Sequence, residues 1–118
     1  MIRATRRGLL LLLLASAMLP AAPAAAATPG ELCEKAASDN LRTCVKKVGK
    51  LQRRCYEKTG SACAAADAKL VEALARVGSK VLPKCPDQAT VQAGGYGAAL
   101  TPSGLVARIE SACVGAVA

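Results

Sequence analysis

The stretch CEKAASDNLRTCVKKVGKLQRRC, residues 33–55, places cysteines at 33, 44 and 55, at equal intervals of eleven. At about 100° per residue, eleven residues make three α-helical turns and roughly 20° more. The three cysteines therefore share one stripe of a single helix. The intervening apolar residues agree: Ala37, Leu41, Cys44, Val48, Leu51 and Cys55 follow one another at steps of four, three, four, three and four, the pattern of an a/d seam. Upstream, Thr28-Pro29-Gly30-Glu31 supplies a start, with Thr at the N-cap, Pro at the first helical position and Glu at the third. Gly60 supplies a stop. The first helix is expected from about Pro29 to Lys58.

Working outward, Ser61 can cap a second helix, expected over about 62–82, with apolar positions Cys63, Ala66, Leu70, Leu74, Val77 and Val81 and a terminator at Pro83. The turn Thr59-Gly60-Ser61 allows only an antiparallel helical hairpin. In such a hairpin, facing residues have a constant index sum. Cys55 and Cys63 sum to 118, and so do Cys33 and Cys85. On that register Cys44 faces Leu74, which leaves Cys44 to Cys113. The predicted bonds are Cys33–Cys85, Cys55–Cys63 and Cys44–Cys113. Helix axes commonly lie about 8–10 Å apart, whereas bonded cysteines need Cα atoms about 4.4–6.8 Å apart. Ala37, Ala62 and Ala66 are the small residues expected to allow close approach at the seam.

A third helix, about 102–114, is signalled by Thr101-Pro102 and by Leu105, Val106, Ile109, Cys113 and Val117 on one face. Residues 83–101, with Gly94-Gly95-Tyr96-Gly97, read as a loop holding a short turn around Ala89 to Ala93. The expected fold class is all-α: a disulfide-stapled antiparallel helical hairpin with a short third helix packed across it.

Ahead of this domain lies MIRATRRGLLLLLLASAMLPAAPAAAA, residues 1–27. Arg3, Arg6 and Arg7 form a basic start, Leu9 to Leu19 an apolar centre too short to span a bilayer comfortably, and Ala25-Ala26-Ala27 a small-residue cleavage site. The segment reads as a signal peptide, and the localisation as secreted or periplasmic. Thr5-Arg6-Arg7-Gly8-Leu9-Leu10 resembles part of a twin-arginine signal, while the six-leucine run fits the general secretory route better. Cleavage leaves 91 residues containing all six cysteines, one small disulfide-rich domain. With no Phe, no Trp and two Tyr, its core must be built from Ala, Val and Leu, so covalent staples are needed.

Of 16 basic residues, three lie in the export segment, leaving 13 against 8 acidic and a net charge of +5. Lys46, Lys47, Lys50, Arg53, Arg54 and Lys58, against Glu57 alone, account for that excess within thirteen residues. On a helix they fill an arc of roughly 140°, expected opposite the cysteine stripe. Two readings stand: a patch for an anionic surface or acidic protein, or a solvated face whose cations suit the negative helix end. No aromatic residue interleaves the cations, so no specific nucleic-acid binding is expected.

The chain has no histidine, which removes histidine acid–base chemistry and the commonest metal ligand. It has no C-x-x-C, its cysteine spacings fit no zinc motif, and its acids form no paired constellation. No strand precedes Gly94-Gly95-Tyr96-Gly97, so it is not a phosphate-binding loop. No catalytic residue, cofactor or metal is expected. Cys33-Glu34-Lys35-Ala36, the run from Ala66-Asp67-Ala68-Lys69-Leu70-Val71 to Lys84-Cys85, and Ala93-Gly94-Gly95-Tyr96-Gly97 together resemble a loose group of secreted Ala/Lys-rich, cysteine-bearing helical proteins of environmental bacteria. The resemblance covers most of the mature chain and carries no activity with it. The functional expectation is a secreted, non-enzymatic binding or scaffolding module. The alternatives are a cationic membrane-active or inhibitory effector, and a carrier of a small apolar ligand between hairpin and third helix.

Overall fold

The computed structural model describes residues 26–117, so all but Ala26 and Ala27 of the expected signal peptide lies outside the described residues. Four helices follow in order: α1 (Pro29–Thr59), α2 (Ala68–Val81), α3 (Gln88–Ala93) and α4 (Pro102–Gly115). No strand occurs among the described residues. The start of α1 is a closed capping box. The Thr28 hydroxyl accepts from the Glu31 amide at 3.2 Å, and the Thr28 amide donates to the Glu31 carboxylate at 3.3 Å. Its end is Gly60 at φ 73°, a left-handed residue whose amide donates to the Tyr56 carbonyl.

All three disulfides form in the expected pairing: Cys33–Cys85, Cys44–Cys113 and Cys55–Cys63, with Cα separations of 5.0, 5.9 and 5.2 Å. The first and third make α1 and α2 antiparallel, and the second ties α4 to the middle of α1. The helix α4 packs on both α1 and α2, which is the third helix lying across the hairpin.

Three expectations need correction. The second helix begins at Ala68, not near residue 62, and its cap is Asp67, whose carboxylate accepts from the Lys69 and Leu70 amides, rather than Ser61. Only eight residues separate Cys55 from Cys63 and Gly60 ends α1 between them, so the chain reverses within that span for the bond to close. The connector 61–67 folds back along the last turns of α1, where the Gln52 side-chain carbonyl accepts the Cys63 amide at 2.8 Å. Ala62 and Ala66 are consequently exposed, and of the three expected alanines Ala37 alone is buried. Second, Ala73 rather than Leu74 is the buried position of α2 near the level of Cys44, and Leu74 is half-buried.

The third correction concerns residues 83–101, which hold a true helix. Asp87 caps α3 by accepting from the Thr90 amide and hydroxyl, both at 2.7 Å. The Gln88 and Gln92 side-chain amides donate to the Ala98 carbonyl and tie the following loop down. The C-terminal end of α3 sits against the first turn of α1. A Cβ on the buried Gly30 would stand 2.5 Å from the Ala93 carbonyl oxygen, so this contact needs a glycine.

The core is Cys33, Ala37, Cys44, Val48, Leu70, Ala73, Val77, Val81, Cys85, Val91, Leu105, Ile109 and Cys113. Its largest fully buried side chains are one leucine, Leu105, and three valines, Val48, Val81 and Val91. From Leu51 to Lys69 no residue is buried. The hairpin tip thus projects past the core, and this positions the candidate site.

Candidate functional site: a basic groove between two helices

The C-terminal half of α1 reads V-K-K-V-G-K-L-Q-R-R-C. Because α2 packs on one flank of the cysteine stripe and α4 on the other, the basic arc is cut by the α1–α2 seam. Lys47, Lys50 and Arg54 turn to that seam and meet Lys69, Glu72 and Arg76 of α2 over a floor of Leu51 and Ala73, around a cleft of about 310 Å³. Toward the tip the cleft continues past Lys58, Thr59, Asp67 and Ala68, adding about 390 Å³. Toward the open end it narrows to about 80 Å³ beside Asn40, Cys44, Val77 and Lys80. The middle hollow shares Lys47 and Arg76 with the narrow end and Arg54 and Lys69 with the tip, so the three lie in line along one groove.

Seven cations line it: Lys47, Lys50, Arg54 and Lys58 on one lip, Lys69, Arg76 and Lys80 on the other. Against them stand two acids, Glu72 and Asp67, so the groove carries a net +5. Asp67 is occupied in capping α2. Among the described residues the single ion pair is Lys35–Asp39 at 2.7 Å, on α1 just before the groove's narrow end and involving no groove residue, so no groove cation is neutralised by a salt bridge. That pairing, with Arg42 adding to it, holds Asp39 below its usual value of 3.8. Each lip spans eleven residue steps, from 47 to 58 and from 69 to 80, or about 16 Å at the helical rise.

Of the residues expected in a basic patch, four belong to the groove and two, Lys46 and Arg53, do not line it. The expected position opposite the cysteine stripe is therefore corrected: the arc borders the seam. The α2 lip was missed because Arg76 and Lys80 read equally well as cations suited to the end of α2. Their spacing held the signal. Lys69, Arg76 and Lys80 follow at seven and four, one stripe of a helix.

A second hollow, of about 240 Å³, lies where α1 meets α4, with Tyr96 at its edge and Leu41, Leu105 and Ile109 among its walls. Partial burial, with the Glu34 carboxylate adding to it, pushes the Tyr96 hydroxyl above its usual value of 10.0. Small-ligand sites usually enclose roughly 300–1,000 Å³, so this hollow is small for a carrier.

Among the described residues no three His, Cys, Asp or Glu side chains gather in a way that could hold a metal ion. No described helix is long and apolar enough to cross a membrane. Comparison with protein-family models, curated proteins and solved structures finds no match for this chain.

Proposed function

We propose that the protein is an exported, non-enzymatic helical binding module, and that its partner is anionic and engages the groove between α1 and α2. The observation that carries this reading is the set of seven groove cations, none with a salt-bridge partner among the described residues. Like charges gathered on two facing lips repel one another in the free protein, and an anionic partner relieves that repulsion. Export is supported by the basic-then-leucine segment at residues 1–27 and by three disulfides, which persist in oxidising compartments. The non-enzymatic reading rests on the lack of histidine and of any paired acid constellation in the sequence.

The test is binding of the disulfide-bonded protein to immobilised dextran sulfate over a salt series. Affinity should fall steeply as salt rises, by analogy with counterion release from nucleic-acid polyanions. Absence of binding at low salt would remove the reading. The membrane-active alternative separates by dye leakage from anionic vesicles. The exposed large apolar residues Leu32, Tyr56, Val71, Leu82 and Val114 line no part of the groove, so a bilayer finds no apolar anchor beside the cations.

A further inference from the structure

Within that reading, the geometry points to a particular ligand class: we infer that the groove takes an acidic polysaccharide lengthwise, a chain of sugars bearing carboxylates at intervals. The inference rests on the proposed anionic partner and adds what kind of anion it is.

Shape is the first argument. The cations stand on two facing lips along a cleft about 16 Å long, with Leu51 and Ala73 as its floor. A flat bilayer touches the crest of a helix pair, not the valley between its helices. A single linear chain lies in the valley and reaches both lips at once. An acidic protein surface is disfavoured on a different ground, because tight protein interfaces are anchored by buried aromatic and apolar side chains. The one aromatic residue of α1, Tyr56, is exposed and lines no part of the groove.

Glu72 is the second argument and decides between linear anions. It stands among Lys47, Lys50, Arg54, Lys69 and Arg76, yet it makes no salt bridge and no side-chain hydrogen bond among the described residues. A chain with no hydroxyl donors between its charges, such as polyphosphate or a DNA backbone, meets repulsion at Glu72 with nothing to offset it. A nucleic acid also finds no aromatic platform for its bases. A polysaccharide offers hydroxyl groups between its charges, and an ionised carboxylate is a strong acceptor for hydroxyl donors. The site therefore matches an anion that is charged at intervals and hydroxylated between them.

The experiment uses the disulfide-bonded protein with oligogalacturonate, alginate oligomers, polyphosphate, single-stranded DNA and anionic phosphatidylglycerol vesicles as probes, measured by calorimetry at one low salt concentration. Oligogalacturonate or alginate should bind more tightly than polyphosphate at matched charge. The variant Lys50→Ala/Arg54→Ala/Arg76→Ala should weaken polysaccharide binding by at least tenfold, while Lys46→Ala/Arg53→Ala, off the groove, should change it less than threefold. Glu72→Ala should move the two ligand types in opposite directions: polysaccharide weaker by threefold or more, polyphosphate tighter. Equal losses in the two multiple variants would overturn the groove. Polyphosphate, DNA or vesicles binding best, or Glu72→Ala tightening every ligand alike, would overturn the polysaccharide while leaving an anionic partner standing. Failure to bind any probe would remove both readings.

Discussion

The two ends of the hairpin are built on opposite principles. At the open end, Cys33 and Cys85 are fully buried, α3 closes on Gly30, and Val81 and Val91 complete a dry cluster. At the tip, from Leu51 to Lys69, nothing is buried, and the chain is held by the Cys55–Cys63 bond and the Gln52 contact with the connector. One end invests its residues in packing, the other in charge. Between the ends, along α2, the two tasks share one helix on different faces, with Leu70, Ala73 and Val77 buried and Lys69, Arg76 and Lys80 lining the groove. Cations gathered on a groove oppose compaction, and burying them costs more than the modest apolar area nearby returns. Separating the two tasks along one helix lets the core hold α1 rigid while its far half presents charge.

The largest test of that division is removal of the staples. Cys44→Ala/Cys113→Ala and Cys33→Ala/Cys85→Ala open bonds separated by 69 and 52 residues, whereas Cys55→Ala/Cys63→Ala opens one of 8. On the loop-entropy model, each of the first two changes should cost about 4 kcal/mol, and the tip bond about 2.5 kcal/mol. Chemical denaturation reads the difference. Partial reduction should open Cys55–Cys63 first, because its sulfurs alone belong to half-exposed residues; peptide mapping after a mild thiol treatment would show another order if the tip were the better protected end.

Next in size is Leu105→Ala, which empties the largest fully buried side chain and should cost about 3 kcal/mol. Tyr56→Ala, at the exposed tip, should cost under about 0.5 kcal/mol. Comparable shifts in thermal midpoint for the two would erase the contrast between ends. Gly30→Ala should follow at about 2 kcal/mol, since the added methyl meets the backbone of Ala93, which cannot swing aside like a side chain.

The smallest effect is a pH response at α3. Thr90's hydroxyl, and then its amide, holds the Asp87 carboxyl below 3.8. A carboxyl lowered by folding contributes fully above its unfolded value and loses that contribution as pH falls through its folded value. The cap on α3 should therefore be intact at neutral pH and weaken below about 3.8, seen as a shift of the Thr90 amide resonance. Asp87→Asn should abolish that step and still cap the helix. An unchanged titration in the variant would mean that another group controls α3.

Much of this architecture was legible because it is periodic and local. The eleven-residue interval aligns the cysteines whatever surrounds them, and Thr28-Pro29-Gly30-Glu31 closes a cap from neighbours alone. The disulfide pairing also followed from register, although neither Cys63 nor Cys85 lies in α2. The antiparallel order of the chain, more than its exact helical phase, brought those pairs together. The start of α2 was not legible, since Ser61 and Asp67 are both acceptable caps. Only the fold-back of residues 61–67 onto the last turns of α1, closed by the Cys55–Cys63 bond and the Gln52 contact, decides between them.

For the candidate site, the residues on α1 were visible as an excess of charge, but their partition was not. Sequence by itself determined the long helix, the sulfur pairing and the absence of a histidine, because these depend on residue identity and on angles along one chain. Tertiary structure alone decided that Lys47, Lys50, Arg54 and Lys58 face Lys69, Arg76 and Lys80 across a cleft while Lys46 and Arg53 turn away. It also decided that Glu72 stands among them. Which flank of a helix a neighbour covers depends on where the remaining helices find room, and no spacing within α1 carries that information.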